Sequence, residues 1–272
     1  MGPAPRSLAI AAWAGVSLAP QAAQALPCAL QGAAETVAVE RAIEGDAVLL
    51  DDGRIVRLAG VSAPKAPLGL APQDWPLEAT AHDALQREAG GRVFELRTAA
   101  ASPDRRGRVL GYMTGLDEPD HAGLATALLK RGLLRVAADA AGRDCRATLA
   151  QAEAAAVAAR LGLWSEPYYE VQNASDGAAL AALDGRFVVA EGRVASARTS
   201  AGRAYVNFGR RWRAALSLSL SEATLRRFGG FEGLGVSAGA RLRARGVVEM
   251  RNGPVIRVSE PAQIERLDSR KP

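Results

Sequence analysis

Short apolar runs broken by turn residues dominate the front of the chain. Thr36 to Val39, Ala47 to Leu50 and Ile55 to Leu58 are bounded by Gly and Asp and too short for helices, so they read as strands. Asp52-Gly53 predicts a tight hairpin between the last two, with φ > 0 at both turn positions. Leu77 to Glu88 carries a helical pattern, and Val93 to Arg97 and Val109 to Met113 are two further strands flanking a polar loop. Leu124, Leu128 and Leu129 fall on one helix face, in a helix ending near Gly132. A second, alanine-rich helix runs from Arg146 to Leu161, followed by Gly162-Leu163-Trp164. Strands joined by short β connections, with helices between and after them, predict an α+β fold: a small closed β-barrel of the OB type capped by helices.

The pattern changes near Val171. Residues 171–183 are rich in Asn, Ser, Asp, Gly and Ala and read as a linker. Strand-like runs follow at Phe187 to Ala190, Arg193 to Ala197, Ala204 to Phe208, Ala214 to Leu220, Arg241 to Met250 and Pro254 to Ser259. Arg251-Asn252-Gly253 supplies a hairpin turn, and Leu225 to Phe228 a short helix between strands. This block predicts a second OB-like β-barrel over 184–268, behind a first domain over 26–170.

Composition changes the picture in three ways. Arg6, the apolar run Leu8 to Ala19, Pro20 and Ala23-Gln24-Ala25 together read as a secretory signal over 1–25, cleaved after Ala25. Its apolar run is too short to span a bilayer, so no transmembrane segment is expected in the mature chain, which is expected to be secreted or periplasmic. In an oxidising compartment Cys28 and Cys145, the two cysteines, are expected to pair; two free thiols are the alternative. Finally, the net charge of +5 is unevenly spread: from Val171 onward 17 Lys/Arg stand against 9 Asp/Glu, whereas from Leu26 to Glu170 it is 16 against 20. A basic half gains affinity for polyanions by releasing their counterions.

The candidate chemistry lies between Glu44 and Arg108. The chain reads Glu44-Gly45-Asp46, then Arg57-Leu58-Ala59-Gly60-Val61-Ser62-Ala63-Pro64-Lys65, then Asp104-Arg105-Arg106-Gly107-Arg108. It resembles the thermonuclease (staphylococcal-nuclease-like) family, whose pattern is Asp-Gly-Asp, then Arg-Leu with Asp-x-Pro-Glu, then Asp-x-x-Gly-Arg. The resemblance runs from Glu35 to Trp164, which the family would use as a structural tryptophan. It implies phosphodiester hydrolysis, with Arg57 and Arg108 clamping phosphate, because a guanidinium binds two phosphate oxygens at once. It also implies a calcium ion, with Asp46 as a ligand. Here Ser62 replaces the second carboxylate, and Lys65 stands where the family's water-activating or water-positioning glutamate would be. A hydroxyl is a poor calcium ligand and an ammonium repels a divalent ion, so no cofactor is expected beyond the calcium the resemblance implies. Arg57, Lys65 and Arg108 could instead make a metal-free anion site. His82 and His121 lack further ligands at metal-binding spacing.

In the second block Arg198, Arg203, Arg210, Arg211 and Arg213 are interleaved with Tyr205, Phe208 and Trp212. Cations beside aromatics suit single-stranded nucleic acid, so Arg203, Tyr205, Arg210, Arg211, Trp212 and Arg213 are candidate binding residues. Strand alternation also allows Tyr205 and Trp212 in a core. Three functions follow: a degenerate thermonuclease relative binding nucleic acid or another polyanion with little or no hydrolysis, an active endonuclease with a rebuilt site, and a non-enzymatic envelope scaffold with protein partners.

Overall fold

The computed structural model describes residues 2, 28, 33–67, 69–71, 74–99, 102–116, 123–139 and 145–267. The expected signal segment, Gly2 apart, and His121 lie outside them. β1 (Glu35–Glu44) is one long strand that bends at register shifts between Val39 and Arg41 and between Ala42 and Glu44. Such bulges add local twist, and the bend lets its two halves pair with different strands. The second half pairs with β2 (Ala47–Leu50), which pairs with β3 (Ile55–Leu58). The hairpin between β2 and β3 departs from expectation: only Gly53 has positive φ, at 86°. Asp52 instead accepts a 2.9 Å bond from the Arg54 amide, an Asx turn that favours a longer loop.

β4 (Val61–Ser62) leaves this sheet, and α1 (Pro76–Ala89) leads to β5 (Val93–Thr98) and β6 (Val109–Thr114). The order β1-β2-β3-β6-β5 closes a barrel, with β3 and β6 parallel and β5 returning to the first half of β1. Alternation fills it: Val37, Val39, Val48, Leu50, Val56, Leu58, Phe94 and Leu96 all point inward and are buried. α2 (Gly123–Lys130) and α3 (Arg146–Ala158) pack against it, and β7 (Arg135–Val136) pairs with β4. Cys28 and Cys145 form a disulfide with Cα atoms 4.5 Å apart, stapling the front of the chain to the start of α3.

Residues 171–183 are not a free linker. β8 (Gln172–Asn173) runs parallel to β9 (Phe187–Arg193), Ala174 is fully buried, and Asp176 caps α4 (Gly177–Ala181) by accepting the Ala179 amide at 3.0 Å. The Asn, Ser, Asp and Gly that suggested flexibility supply turns and a cap. β10 (Ser196–Ser200), β11 (Arg203–Asn207) and β12 (Ser217–Ser221) follow, then α5 (Glu222–Arg227) and α6 (Gly230–Gly233). β13 (Arg241–Met250), β14 (Pro254–Arg257) and β15 (Ile264–Arg266) end the described chain. The order β10-β11-β12-β14-β13-β9, with β12 and β14 parallel, follows the strand order of the first barrel, and with β8 beside β9 and β15 beside β13 these strands make one eight-stranded sheet. Only Val194 and Ala195 separate β9 from β10, which therefore act as the two halves of one bent strand, as β1 does.

The two units share a polar contact and an aromatic one. Glu153 on α3 is fully buried and pairs with Arg245 on β13, which also meets Glu265 at 2.8 Å. Beside them Trp75, Trp164 and Tyr169 pack with Val189, and the Arg135 guanidinium lies 4.3 Å from the Phe187 ring centre. Trp164 is thus part of the packing, not a platform for bases. Among the described residues no helix is long and apolar enough to cross a membrane.

Candidate functional site

At the mouth of the first barrel, the turn joining β1 to β2 carries Gly45 and Asp46. A Cβ on Gly45 would lie 2.8 Å from the Cβ atoms of both Ala63 and Ala81, so only glycine lets this turn sit against the loop and α1. Asp46 is buried there: Oδ2 accepts the Ala63 amide at 3.3 Å and faces Arg57 Nε at 3.5 Å, while Oδ1 has no hydrogen-bond partner. Arg57, on β3 directly opposite Ala47, also donates to the Val61 carbonyl at 2.9 Å and faces Asp139 at 3.5 Å.

Asp104 organises the third segment. Its Oδ1 accepts the Arg106 and Arg108 amides, and its Oδ2 accepts Arg108 Nε at 2.8 Å. Burial would raise this carboxyl, but those bonds dominate and hold it down at about 2. Burial likewise pulls the Arg108 guanidinium down, and Asp104, Glu44 and Asp46 more than reverse that, leaving it raised. Glu44 is the hub of the site: it meets Arg108 at 3.0 Å, and Arg106 and Lys65 each at 3.4 Å. Lys65 reaches Glu78 on α1 as well, at 3.4 Å.

The structure therefore gathers Asp46, Arg57, Ser62, Lys65 and Arg108 around one mouth. However, Arg57, Lys65, Arg106 and Arg108 face Glu44, Asp46, Glu78, Asp104 and Asp139. Carboxylates outnumber cations, so the mouth is not the open cationic anion site that Arg57, Lys65 and Arg108 suggest by themselves. A phosphate would have to displace Glu44 or Asp104. As a calcium cradle the donor set is poor. Asp46 offers one free oxygen beside a guanidinium, and the Ser62 hydroxyl is turned to the Ala63 carbonyl at 3.3 Å, against six to eight oxygens for that ion. Among the described residues no group of three or more His, Cys, Asp or Glu could hold a metal. His82 lies beside Asp83, at the surface.

A second candidate site lies on the second sheet. The sequence Ser217-Leu218-Ser219-Leu220-Ser221 sends both leucines into the core and leaves serines on the opposite face, where their small side chains form a low floor. Along that face, register places Arg198 opposite Tyr205, Tyr205 opposite Ser219 and Ser219 opposite Arg257. A cavity of about 470 Å³ opens above, walled by Trp212 and by Arg251-Asn252 of the β13–β14 hairpin. The predicted Arg203, Tyr205 and Trp212 line it, whereas Arg210, Arg211 and Arg213 do not. Arg210, Arg211 and Arg213 are all exposed on the turn around Trp212, with the Arg213 guanidinium 5.0 Å from the Trp212 ring centre. The core alternative fails for both aromatics: Ala204 and Val206 take the inward positions of β11, Tyr205 is half-buried on the groove, and Trp212 is exposed. Arg251, Asn252 and Arg257 escaped sequence reasoning; the Ser-Leu alternation of β12 was the available signal.

Much of the arginine excess is neutralised within the fold. Arg241 and Arg243 bind Glu191, and Arg245 is buried with Glu153 and Glu265. No curated protein matches this chain in sequence. Residues 55–166 match the family described as Staphylococcal nuclease homologue. The match spans β3 through the turn after α3 and takes in Arg57, Ser62, Lys65 and Arg108. The matched residues 55–166 supply β3, β5 and β6 of the closed five-stranded barrel and the helices that cap it, while β1 and β2 precede them.

Proposed function

We propose that this chain is an exported thermonuclease relative that holds nucleic acid without hydrolysing it. One observation carries the reading. The position that resembles the family's water-activating glutamate bears the Lys65 ammonium, locked between Glu44 and Glu78 at 3.4 Å each. Hydrolysis needs a base or an oriented water at that point, and a cation in a double ion pair supplies neither. Calcium is not held, because Asp46 alone brings a free carboxylate oxygen and Ser62 a neutral one. Arg57 and Arg108 stand at the positions of a phosphate clamp but direct their charge at carboxylates. The disulfide supports an oxidising compartment, reached through the signal segment 1–25. Two domains, meeting near Val171, divide the labour.

The unpartnered Oδ1 of Asp46 favours a second reading, an endonuclease with a rebuilt site, since a buried oxygen without a hydrogen bond is costly and is used where a ligand completes it. The two readings part in one experiment. Labelled single- and double-stranded DNA and RNA are titrated with the mature chain in calcium or chelator. We expect intact, salt-sensitive retention that is indifferent to the ion. Retention that requires calcium, or a calcium-dependent rise in melting temperature, favours the rebuilt enzyme.

A further inference from the structure

We infer that the groove on the β10–β11–β12–β14 face is a binding site for single-stranded nucleic acid. The inference rests on the reading above and moves the binding away from the mouth of the first barrel. The contrast in charge is the first argument. At the mouth Arg57, Lys65, Arg106 and Arg108 each face carboxylates, but in the groove Arg203 donates to the neutral Ser219 hydroxyl, at 3.1 and 2.8 Å. Arg251 and Arg257 share the single carboxylate of Glu249. Among the described residues none forms an ion pair with the exposed Arg198. The groove is therefore net cationic where the mouth is not.

Shape and aromatic placement decide the ligand class. Tyr205 stands on the floor between Arg198 and Arg257 in one cross-strand row, above the serines of β12. Trp212 rises at the rim, 37% exposed although it is a large aromatic residue. Its turn is held from behind: Gly253 sits so close that a Cβ there would be 2.9 Å from the Arg213 Cα. Two π faces with guanidinium groups on either side suit unpaired bases and the phosphates between them. A cavity of about 470 Å³ falls within the ~300–1,000 Å³ of small-ligand sites, room for a nucleotide or two and not for a duplex. Duplexes also keep their base faces stacked, out of reach of Tyr205 and Trp212.

The test is anisotropy of a fluorescent oligothymidylate and of a single-stranded RNA with the full mature chain, scored in parallel for cleavage. Trp212→Ala and Tyr205→Leu should each weaken binding about five-fold or more. Arg198→Ala with Arg257→Ala should also flatten the salt dependence by roughly 0.7 for each phosphate no longer neutralised. Arg87→Ala, an exposed change on α1, should leave both quantities unchanged. Trp212 and Arg198 are exposed, and unchanged melting temperatures of their variants would confirm that folding is intact. Unlabelled inorganic polyphosphate should compete more weakly than oligothymidylate. Equal competition, equal affinity for duplex, or binding insensitive to the groove variants but abolished in Arg108→Ala would overturn the assignment. Cleavage of the probe with groove-dependent binding would instead overturn the non-hydrolytic reading and leave the groove standing.

Discussion

Arg245→Ala should be among the most damaging single changes in this chain. The guanidinium is almost wholly buried between Glu153 of α3, itself fully buried, and Glu265 of β15. Burial pulls the guanidinium down, and the two carboxylates reverse the effect and raise it, so it stays charged at any working pH. The other oxygen of Glu153 accepts the Val136 amide at 2.7 Å, which fixes the carboxylate in place. Truncating Arg245 leaves Glu153 inside the protein without its ion-pair partner, with the Arg135 guanidinium as the remaining nearby charge. Breaking a buried pair in this way costs about 3–5 kcal/mol, although the intact pair adds little over an apolar replacement. At ~2–4 °C per kcal/mol for a protein of this size, the melting temperature at pH 7, followed by circular dichroism, should fall by roughly 6–20 °C. Arg245→Met combined with Glu153→Gln should recover most of the loss, since the new side-chain amide oxygen would still accept the Val136 N–H. A single-mutant loss below about 1 kcal/mol, or a double variant no better than the single, would refute the claim that this pair is a buried tie between the two units.

Three further outcomes follow from particular contacts. Cys28→Ser with Cys145→Ser opens a loop spanning a sequence separation of 117 and should lower stability by about 4–5 kcal/mol in the chain-entropy account, measured by urea unfolding with and without reductant. Asp104 has a folded pKa of about 2, below its unfolded value of roughly 3.9, so its contribution is complete above that value and is lost as pH falls toward 2. The melting-temperature gap between wild type and Asp104→Asn should therefore be full at pH 6 and close as the pH approaches 2; a gap that widens in acid would contradict the assigned hydrogen bonds. Ser62→Asp with Lys65→Glu restores two carboxylates beside Asp46 and removes a cation. That variant should acquire a calcium-dependent rise in melting temperature that the wild type lacks, and identical melts in calcium and chelator would show the frame is no longer competent.

The strands were legible wherever burial follows local alternation, as at Val37 and Val39 or Leu218 and Leu220. What escaped depends on partners distant in sequence. β9 and β10 extend beyond the short runs assigned to them because β13 and β11 pair along their whole length, Arg241 to Val247 against one and Arg203 to Asn207 against the other. Residues 171–183 looked like a linker because caps and turns use the same residue types as flexible chain. Nothing periodic marks Glu153 and Arg245 as partners: one lies on an alanine-rich helix, the other in an arginine-rich strand. At the candidate site the motif positions were readable, and so was the conflict between Lys65 and the family pattern. The answer to that conflict was not, because Glu78 arrives from α1 and Asp139 from beyond α2. In the groove the signal was split, since Arg203, Tyr205 and Trp212 line it and Arg210, Arg211 and Arg213 do not. Arg210, Arg211 and Arg213 cluster in sequence, whereas Arg198, Arg203 and Arg257 converge only through strand register.

The central claim is that the mouth of the first barrel binds no metal and cuts nothing. It is tested most directly by prolonged incubation of the purified protein, in excess calcium, with end-labelled single-stranded DNA and RNA, beside Arg108→Ala. The account predicts full-length substrate throughout in both samples. Fragments that accumulate with the wild type, disappear in chelator and are absent with Arg108→Ala would contradict it.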